Sequence, residues 1–285
     1  MATIAFSIIG HDNGHQLARC LESVRWADEI VYVDCDSADD SLGIARRYTD
    51  RVFQRPNNSN LNVNKSYGFA QVTADWIFYL DPDEVIPPAL AEEIRATIAR
   101  APSENAFALP RRNHYFGRWL RHGGQYPDMQ LRLFRRGKGR FACVHVHERL
   151  EVEGSTGRLR EAMWHYPCDT VQEQIRKMDF YSSFNADLLA RQGVRPTAAV
   201  AFSYLVAKPL DRLLRRGILK GGFLDGWAGL IVIAISSIDF VYRFFKLWER
   251  AANPLAARPE TPEQSPAAAE PRGAESARPA RQRPA

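Results

Sequence analysis

Residues 76–84 read Trp76-Ile77-Phe78-Tyr79-Leu80-Asp81-Pro82-Asp83-Glu84. Five apolar and aromatic side chains with no polar break predict a strand buried on both faces. The strand stops in three carboxylates within four residues, followed by Pro87-Pro88 and a helical pattern over 91–100. A buried strand that delivers charge at its C-terminal end belongs to an α/β sheet, where ligands bind beyond the strand ends. Asp81 and Asp83 lie two apart, so in extended backbone both can face one side. Two oxygen donors so placed suit Mg2+ or Mn2+, which take few protein carboxylates and complete their shell with phosphates. Taken alone, the motif reads equally as a solvated turn ahead of a helix with an acidic N-terminus.

The residues before it repeat the pattern. Residues 4–9 form an apolar run, 16–25 an amphipathic helix with Leu17, Cys20, Leu21 and Val24 on one face, and 29–33 a second strand. That strand also ends in acids, Asp34, Asp36, Asp39 and Asp40. A helix over 42–48, a short strand at 51–53 and a helix over 63–72 lead to the strand at 76–80. Alternating strands and helices predict βαβ units and a parallel sheet, with the two acid-ended strands close together at one edge. Neither GxxxxGK[ST] nor GxGxxG occurs, so a phosphate would be held through a metal rather than a glycine-rich cradle.

Beyond residue 100 the pattern loosens. Strands are expected at 106–110, 130–135, 145–150 and 159–166, a basic and aromatic stretch at 111–117, a loop at 122–128, and an amphipathic helix over 171–193. The chain carries net charge +5, unevenly placed. Residues 1–194 hold 24 basic and 25 acidic side chains, whereas 195–250 hold nine and four. In that second segment Phe202, Leu205, Val206, Leu210, Leu213 and Leu214 recur at helical spacing among Lys208, Arg212, Arg215 and Arg216. A 13-residue uncharged run, 226–238, is shorter than the ~20 residues that span a bilayer. The composition predicts helices lying in an anionic membrane interface; a core helix capping the preceding domain, a re-entrant helix and a dimer helix are the alternatives. The last 35 residues, 251–285, are rich in Pro, Ala, Glu and Arg and are expected to be disordered. Four dispersed cysteines without a CxxC pair fit a reduced compartment and no zinc site. No signal peptide is legible.

Five pieces of this chain in this order carry a resemblance: IAFSIIGHDNGHQLARCLESVRWADEIVYVDCDSADDS, DWIFYLDPDEV, LPRRNHYFGRWLRHGGQYPDMQLRLFRRGKGRF, VHERL and GFLDGWAGL. Over about residues 4–250 the chain resembles family 2 glycosyltransferases of the GT-A fold, and within them the bacterial lipopolysaccharide-core β-glucosyltransferase group. The resemblance implies a Rossmann-like nucleotide-sugar half (1–100) and an acceptor half (101–194), followed by membrane-associating helices (195–250). It implies that Asp34 and Asp39 contact the donor's nucleoside and that Asp81 and Asp83 form the metal motif, Asp83 as the direct ligand and Asp81 binding the donor through water to the metal or at the ribose. Asp128 would be the general base. The usual Glu before that base is Pro127 here, and Asp128 also reads as a turn residue. Lys65, Arg111 and Arg112 are expected at phosphates of donor or acceptor, although a solvated basic face is the other reading of the arginines. His147 either completes the metal shell, as a His does in some relatives, or is an interior hydrogen-bonded residue; Glu148 is an alternative in that shell or as base.

The expected activity is inverting transfer of a hexose, with UDP-glucose the implied donor, to a lipid-linked saccharide of the lipopolysaccharide inner core on the cytoplasmic face of the inner membrane. No nucleic-acid partner is expected. The same fold acting on a polyprenyl phosphate, a capsule precursor or a protein is the alternative. A nucleotidyltransferase would normally show a basic, glycine-rich N-terminal phosphate loop, and here that place reads IIGHDNGH. A non-enzymatic membrane-binding module would not need the carboxylate set.

Overall fold

The computed structural model describes residues 1–58, 60–143 and 148–253. Twelve strands are present among these: β1 (Ile4–Gly10), β2 (Glu29–Asp34), β3 (Val52–Gln54), β4 (Trp76–Leu80), β5 (Glu84–Val85), β6 (Ala106–Tyr115), β7 (Arg118–Trp119), β8 (Asp128–Arg135), β9 (Gly139–Arg140), β10 (Glu151–Val152), β11 (Thr156–Arg158) and β12 (Met163–Cys168). Helices α1 (Gly14–Ser23), α2 (Ser41–Ala45), α3 (Leu61–Gln71) and α4 (Pro88–Ala99) alternate with the first strands, and α5 (Val171–Arg191) follows the last.

Ten strands form one sheet, in the order β3-β2-β1-β4-β8-β6-β12-β5, with β7 and β11 attached to β6. The half containing β3, β2, β1 and β4 is parallel, as the βαβ pattern requires. Strand β8 runs antiparallel to both β4 and β6, so the sheet is mixed rather than wholly parallel. Alternate residues of β1 face opposite sides of the sheet. Phe6 and Ile8 meet Leu17 and Leu21 of α1 and Leu90 and Ile94 of α4. Ala5 and Ile9 join Phe69 of α3 and Phe134 of β8. Both faces are covered, which explains why these strands are apolar throughout. Trp76, fully buried, anchors β4; its truncation to alanine would cost about 3–5 kcal/mol.

Three expectations shift. The strand expected at 106–110 runs on through the basic and aromatic residues 111–115 as β6, because each finds a partner on β8, β7 or β12. Asp128 opens β8 instead of closing a loop. The strand expected at 159–166 begins at Met163; of the one expected at 145–150, residues 145–147 lie outside the described residues and 148–150 are not in a strand.

The C-terminal segment is a helical hairpin. Helices α6 (Ala198–Phe202) and α7 (Lys208–Arg212) are joined and extended by π-helical turns, Ser203–Ala207 and Leu213–Leu219; a 3-10 turn, Gly222–Asp225, then leads into α8 (Gly226–Ala252). Helix α8 has 27 residues, about 40 Å. With the turn before it, it is long and apolar enough to cross a membrane by length and composition (mean hydropathy 1.7), longer than the uncharged run alone suggested. It does not stand apart from the sheet domain. Ala228 and Val232 pack on Leu120, Lys246 bonds Asp179, Ser182 and Ser183 of α5, and Arg250 pairs with Asp187. Asp225 accepts from the backbone amides of Arg121 and His122.

Candidate active site

The acids after β4 are held by cations from four elements. The turn closes on itself: Glu84 donates its amide to the Asp81 carbonyl at 2.9 Å, and its carboxylate accepts the Asp81 amide at 3.0 Å. Glu84 is wholly buried and receives Arg132 of β8 at 2.6 Å and Arg111 of β6 at 3.0 Å. Arg132, 3% exposed, also reaches Asp81 at 2.9 Å. Lys65 of α3 meets the other Asp81 oxygen at 2.9 Å. Arg111 continues to Asp128, its cross-strand partner, at 2.7 and 2.9 Å. One buried chain of alternating charge thus runs Lys65–Asp81–Arg132–Glu84–Arg111–Asp128. Burial opposes ionisation of Asp81, but Lys65 and Arg132 hold its carboxyl far below the usual range. Burial likewise opposes the charge on Arg132, and Glu84 and Asp81 overcome it.

A second branch joins Asp128 to Asp83. Asn113 of β6 donates to Asp128 at 3.3 Å and to the Gln125 carbonyl at 3.0 Å. Its oxygen accepts from Nδ1 of His165 at 2.6 Å. With Nδ1 so engaged, the other ring nitrogen, Nε2, faces Asp83, 3.4 Å away. His165 is placed there because β12 pairs with β5 and Tyr166 donates its amide to the Asp83 carbonyl. Asp83, like Asp81, is partly exposed, and among the described residues its side chain meets, beyond His165, only Lys177 of α5, at 3.9 Å. Burial works against its ionisation, but the bond and charge of His165 keep its carboxyl below the ordinary value. Asp83 and His165 make a two-donor set; among the described residues no cluster of three or more acidic, histidine or cysteine side chains is placed to hold an ion. Two donors fit Mg2+ or Mn2+ when a diphosphate and water complete the shell. The neighbouring Cys20 and Cys168 are protonated at neutral pH: burial raises both thiols, that of Cys168 to about 11.

At the end of β2 the acids are held differently. Asp34 is buried, with one oxygen accepting the Ser37 amide at 3.2 Å and the other, Oδ1, without a partner. Asp39 accepts the amides of Gly14 and Ser41 at 2.8 and 2.9 Å, capping the start of α1. Asp12, at φ 52°, accepts the amide of Ala38 at 2.7 Å. These bonds stitch loop 10–14 to loop 34–41 beside the β4 acids.

A cleft of about 820 Å³ begins at Gly10, Lys65, Asp81 and Asp83 and ends against α5 and α8, at Tyr181, Asp239 and Arg243. Asp128 does not line it; it stands one side chain behind, through Asn113 and His165. Its carboxylate is saturated on Oδ2 by Arg111 and Asn113, and Oδ1 accepts from Gln130 at 2.8 Å, leaving one lone pair. Burial opposes its charge, yet Arg111 holds its carboxyl below the ordinary range. Arg112, expected with Arg111, points to the opposite side of β6 and stacks over Trp119 at 4.6 Å. His147 lies outside the described residues.

Sequence reasoning thus missed His165, Asn113 and Arg132 as members of the site, and named Glu84 only as one of the three acids after β4. Only Arg132 carried a signal, as the charged residue on the face opposite Leu131 and Leu133 in an alternating strand.

The family model described as "Glycosyl transferase family 2" matches residues 8–166. A lipopolysaccharide core biosynthesis glycosyltransferase, LpsC, of Rhizobium meliloti is 29% identical over 250 residues, 85% of this chain and 90% of its own length. An uncharacterized glycosyltransferase of Rickettsia felis is 27% identical over 270 residues, 87% of this chain and 90% of its own. Among solved structures, S. aureus TarS 1-349 aligns over 88% of this chain and 91% of its own, at 12% identity and a TM-score of 0.42.

Proposed function

The chain belongs to glycosyl transferase family 2, and we propose that it moves a hexose, with inversion, from a nucleotide sugar to a lipid-linked saccharide of the lipopolysaccharide core. The likeness to LpsC supports the acceptor class. The observation that carries the reading is the division among the β4 acids. Asp81 and Glu84 are paired with Lys65, Arg132 and Arg111, while Asp83 lines the cleft beside Nε2 of His165 with its nearest ammonium, Lys177, 3.9 Å away.

In this reading Asp83 and His165 hold Mg2+ or Mn2+, which when bound neutralises the charge that develops on the departing diphosphate. Lys65, beside Asp81, adds a cation on the same side. The unpartnered Oδ1 of Asp34 accepts a donor group of the nucleoside, for a buried carboxylate oxygen without a partner is costly, and UDP-glucose is the donor we favour. The base that the resemblance implies is Asp128, with a lone pair left on Oδ1; because it stands outside the cleft, the acceptor hydroxyl must approach it from its exposed side. The depressed pKa of Asp128 keeps it ionised but makes it a weak base, so in-line placement must supply part of the rate.

The acceptor's lipid sets the location. Leu219 and Trp227 at the hairpin's turn are 79% and 81% exposed, and Phe202, Ile218 and Phe223 beside them are also exposed. Among Arg215, Lys220 and other basic residues, these side chains suit insertion into an anionic bilayer surface, making the protein peripheral on the cytoplasmic face. Because α8 also walls the cleft, removal of 197–250 would open the active site, so point substitutions are the cleaner test. Leu219→Glu with Trp227→Glu should weaken co-sedimentation with phosphatidylglycerol vesicles at least roughly tenfold; undiminished binding refutes the membrane role.

The activity is tested by screening UDP-, GDP- and TDP-sugars for hydrolysis dependent on Mg2+ or Mn2+. One donor should turn over, and Asp83→Asn should lower its rate roughly a thousandfold or more with an unchanged circular dichroism spectrum. Normal turnover in that variant removes Asp83 from the metal site.

A further inference from the structure

Beside the cleft's α8 wall stands a cluster of cations that the donor site does not use, of which Arg243 lines the cleft itself. Arg243 of α8 is paired with Asp239, which lines the cleft with it. Arg212 of α7 and Arg243 both stand over the ring of Phe240, at 4.9 and 5.3 Å. Arg216 follows Arg212 one helical turn further along the same hairpin arm and, like it, is partly buried. Arg243 is partly buried as well.

Their partners do not balance them. The nearby Asp211 is taken by Arg215 at 2.7 Å, leaving Asp239 as the acid facing three guanidinium groups. Among the described residues no carboxylate lies within salt-bridge distance of Arg212 or Arg216. The Phe240 ring offers Arg212 a π face but no acceptor oxygen, so its forked N–H donors stay unused. Even the pair with Asp239 is incomplete: Arg243 Nε and Asp239 Oδ1 are both buried without a hydrogen-bond partner. Burial, Arg216 and Arg243 together make the charge on Arg212 harder to hold. Like charges four apart on one helix weaken it, so packing alone gives no reason for Arg212 and Arg216 to stand together. A bound anion removes the repulsion and satisfies the donors bidentately.

We propose that Arg212, Arg216 and Arg243 form a subsite for a phosphate or carboxylate group borne by the acceptor saccharide. The assignment rests on the glycosyltransferase reading and narrows it: the acceptor is an acidic glycan, and its anion docks on the wall made by the hairpin, at the opposite end of the cleft from Asp83. A bilayer phosphate is the other source of the same chemistry.

The test uses the full chain in detergent, with UDP and Mg2+ present throughout to fill the donor site. Stabilisation by UDP and Mg2+ by itself reads the donor assignment, so its absence counts against that function and not against the subsite. Thermal shift is then followed while titrating glycerol 3-phosphate and, separately, glucuronate. The wild type should respond saturably to at least one. Arg212→Gln with Arg216→Gln should raise the half-saturating concentration at least roughly tenfold, the scale of losing a charged hydrogen bond. Arg215→Gln, which removes an equal charge from a neighbour already paired, should leave it unchanged. Should the double variant fail to fold, Arg216→Gln alone is read the same way. The subsite is refuted by a wild type that answers neither anion, by a double variant that titrates normally, or by an equal loss in Arg215→Gln. Co-sedimentation with phosphatidylglycerol vesicles separates the sources. Binding equal to wild type in the double variant supports an acceptor group, and lost vesicle binding with a normal anion titration assigns the cluster to headgroups and overturns the proposal.

Discussion

Strands β2 and β4 both end in acids, lie one strand apart with β1 between them, and treat their carboxylates oppositely. After β2, Asp34 and Asp39 accept mainly backbone amides, so their charge shapes two loops and holds the first turn of α1. After β4, Asp81 and Glu84 accept buried guanidinium and ammonium groups. Amide-satisfied acids confer local geometry and can be lost singly at modest cost. Cation-satisfied acids bind four distant elements together, and the loss of one leaves a buried charge alone. Asp83, next to both patterns, follows neither and stays open to the cleft.

This contrast can be broken at its strong end first. Glu84→Ala leaves Arg132 with Asp81 alone and Arg111 with Asp128 alone, and should destabilise the protein by about 3 kcal/mol in urea unfolding; a loss below about 1 kcal/mol would mean that water replaces the carboxylate and that the chain is no true unit. Asp128→Asn comes next. As the base, Asp128 contributes roughly 10²–10⁴-fold to kcat, whereas as a mere anchor of Arg111 its replacement would show chiefly in stability and little in kcat at saturating acceptor.

Acid titration separates the two ends more finely. The carboxyls of Asp81 and Asp128 are depressed in the folded state, so the stability that they confer is complete above their unfolded values, near pH 4, and is lost as pH falls through the folded ones. The urea midpoint should therefore hold from pH 7 to about 4.5 and fall steeply below 4. A decline already under way at pH 6 would point to groups other than these acids. The smallest effect belongs to the weak end: Asp39→Ala frees the Gly14 amide and should cost about 1 kcal/mol, with an unchanged slope in urea. A cost matching that of Glu84→Ala would erase the distinction.

Much of this was legible in the residues themselves. The apolar run 76–80, the alternating elements before it and the two acidic strand ends determined the parallel half of the sheet, because a strand buried on both faces leaves no room for polar side chains. The preference for Asp83 over Asp81 came from the family resemblance and not from the residues' own pattern. What the sequence could not decide was which acids are free. Asp81 and Glu84 are neutralised by Arg132 and Arg111, some 27 to 51 residues away along the chain, and that pairing exists only once β8 is set antiparallel between β4 and β6. His165 reaches Asp83 only through the pairing of β12 with β5. The hairpin shows the same limit: its amphipathic composition announced an apolar face, but that its other face closes the active-site cleft follows from packing against α5 and Leu120, since helical periodicity tells which side chains share a face and not what that face meets.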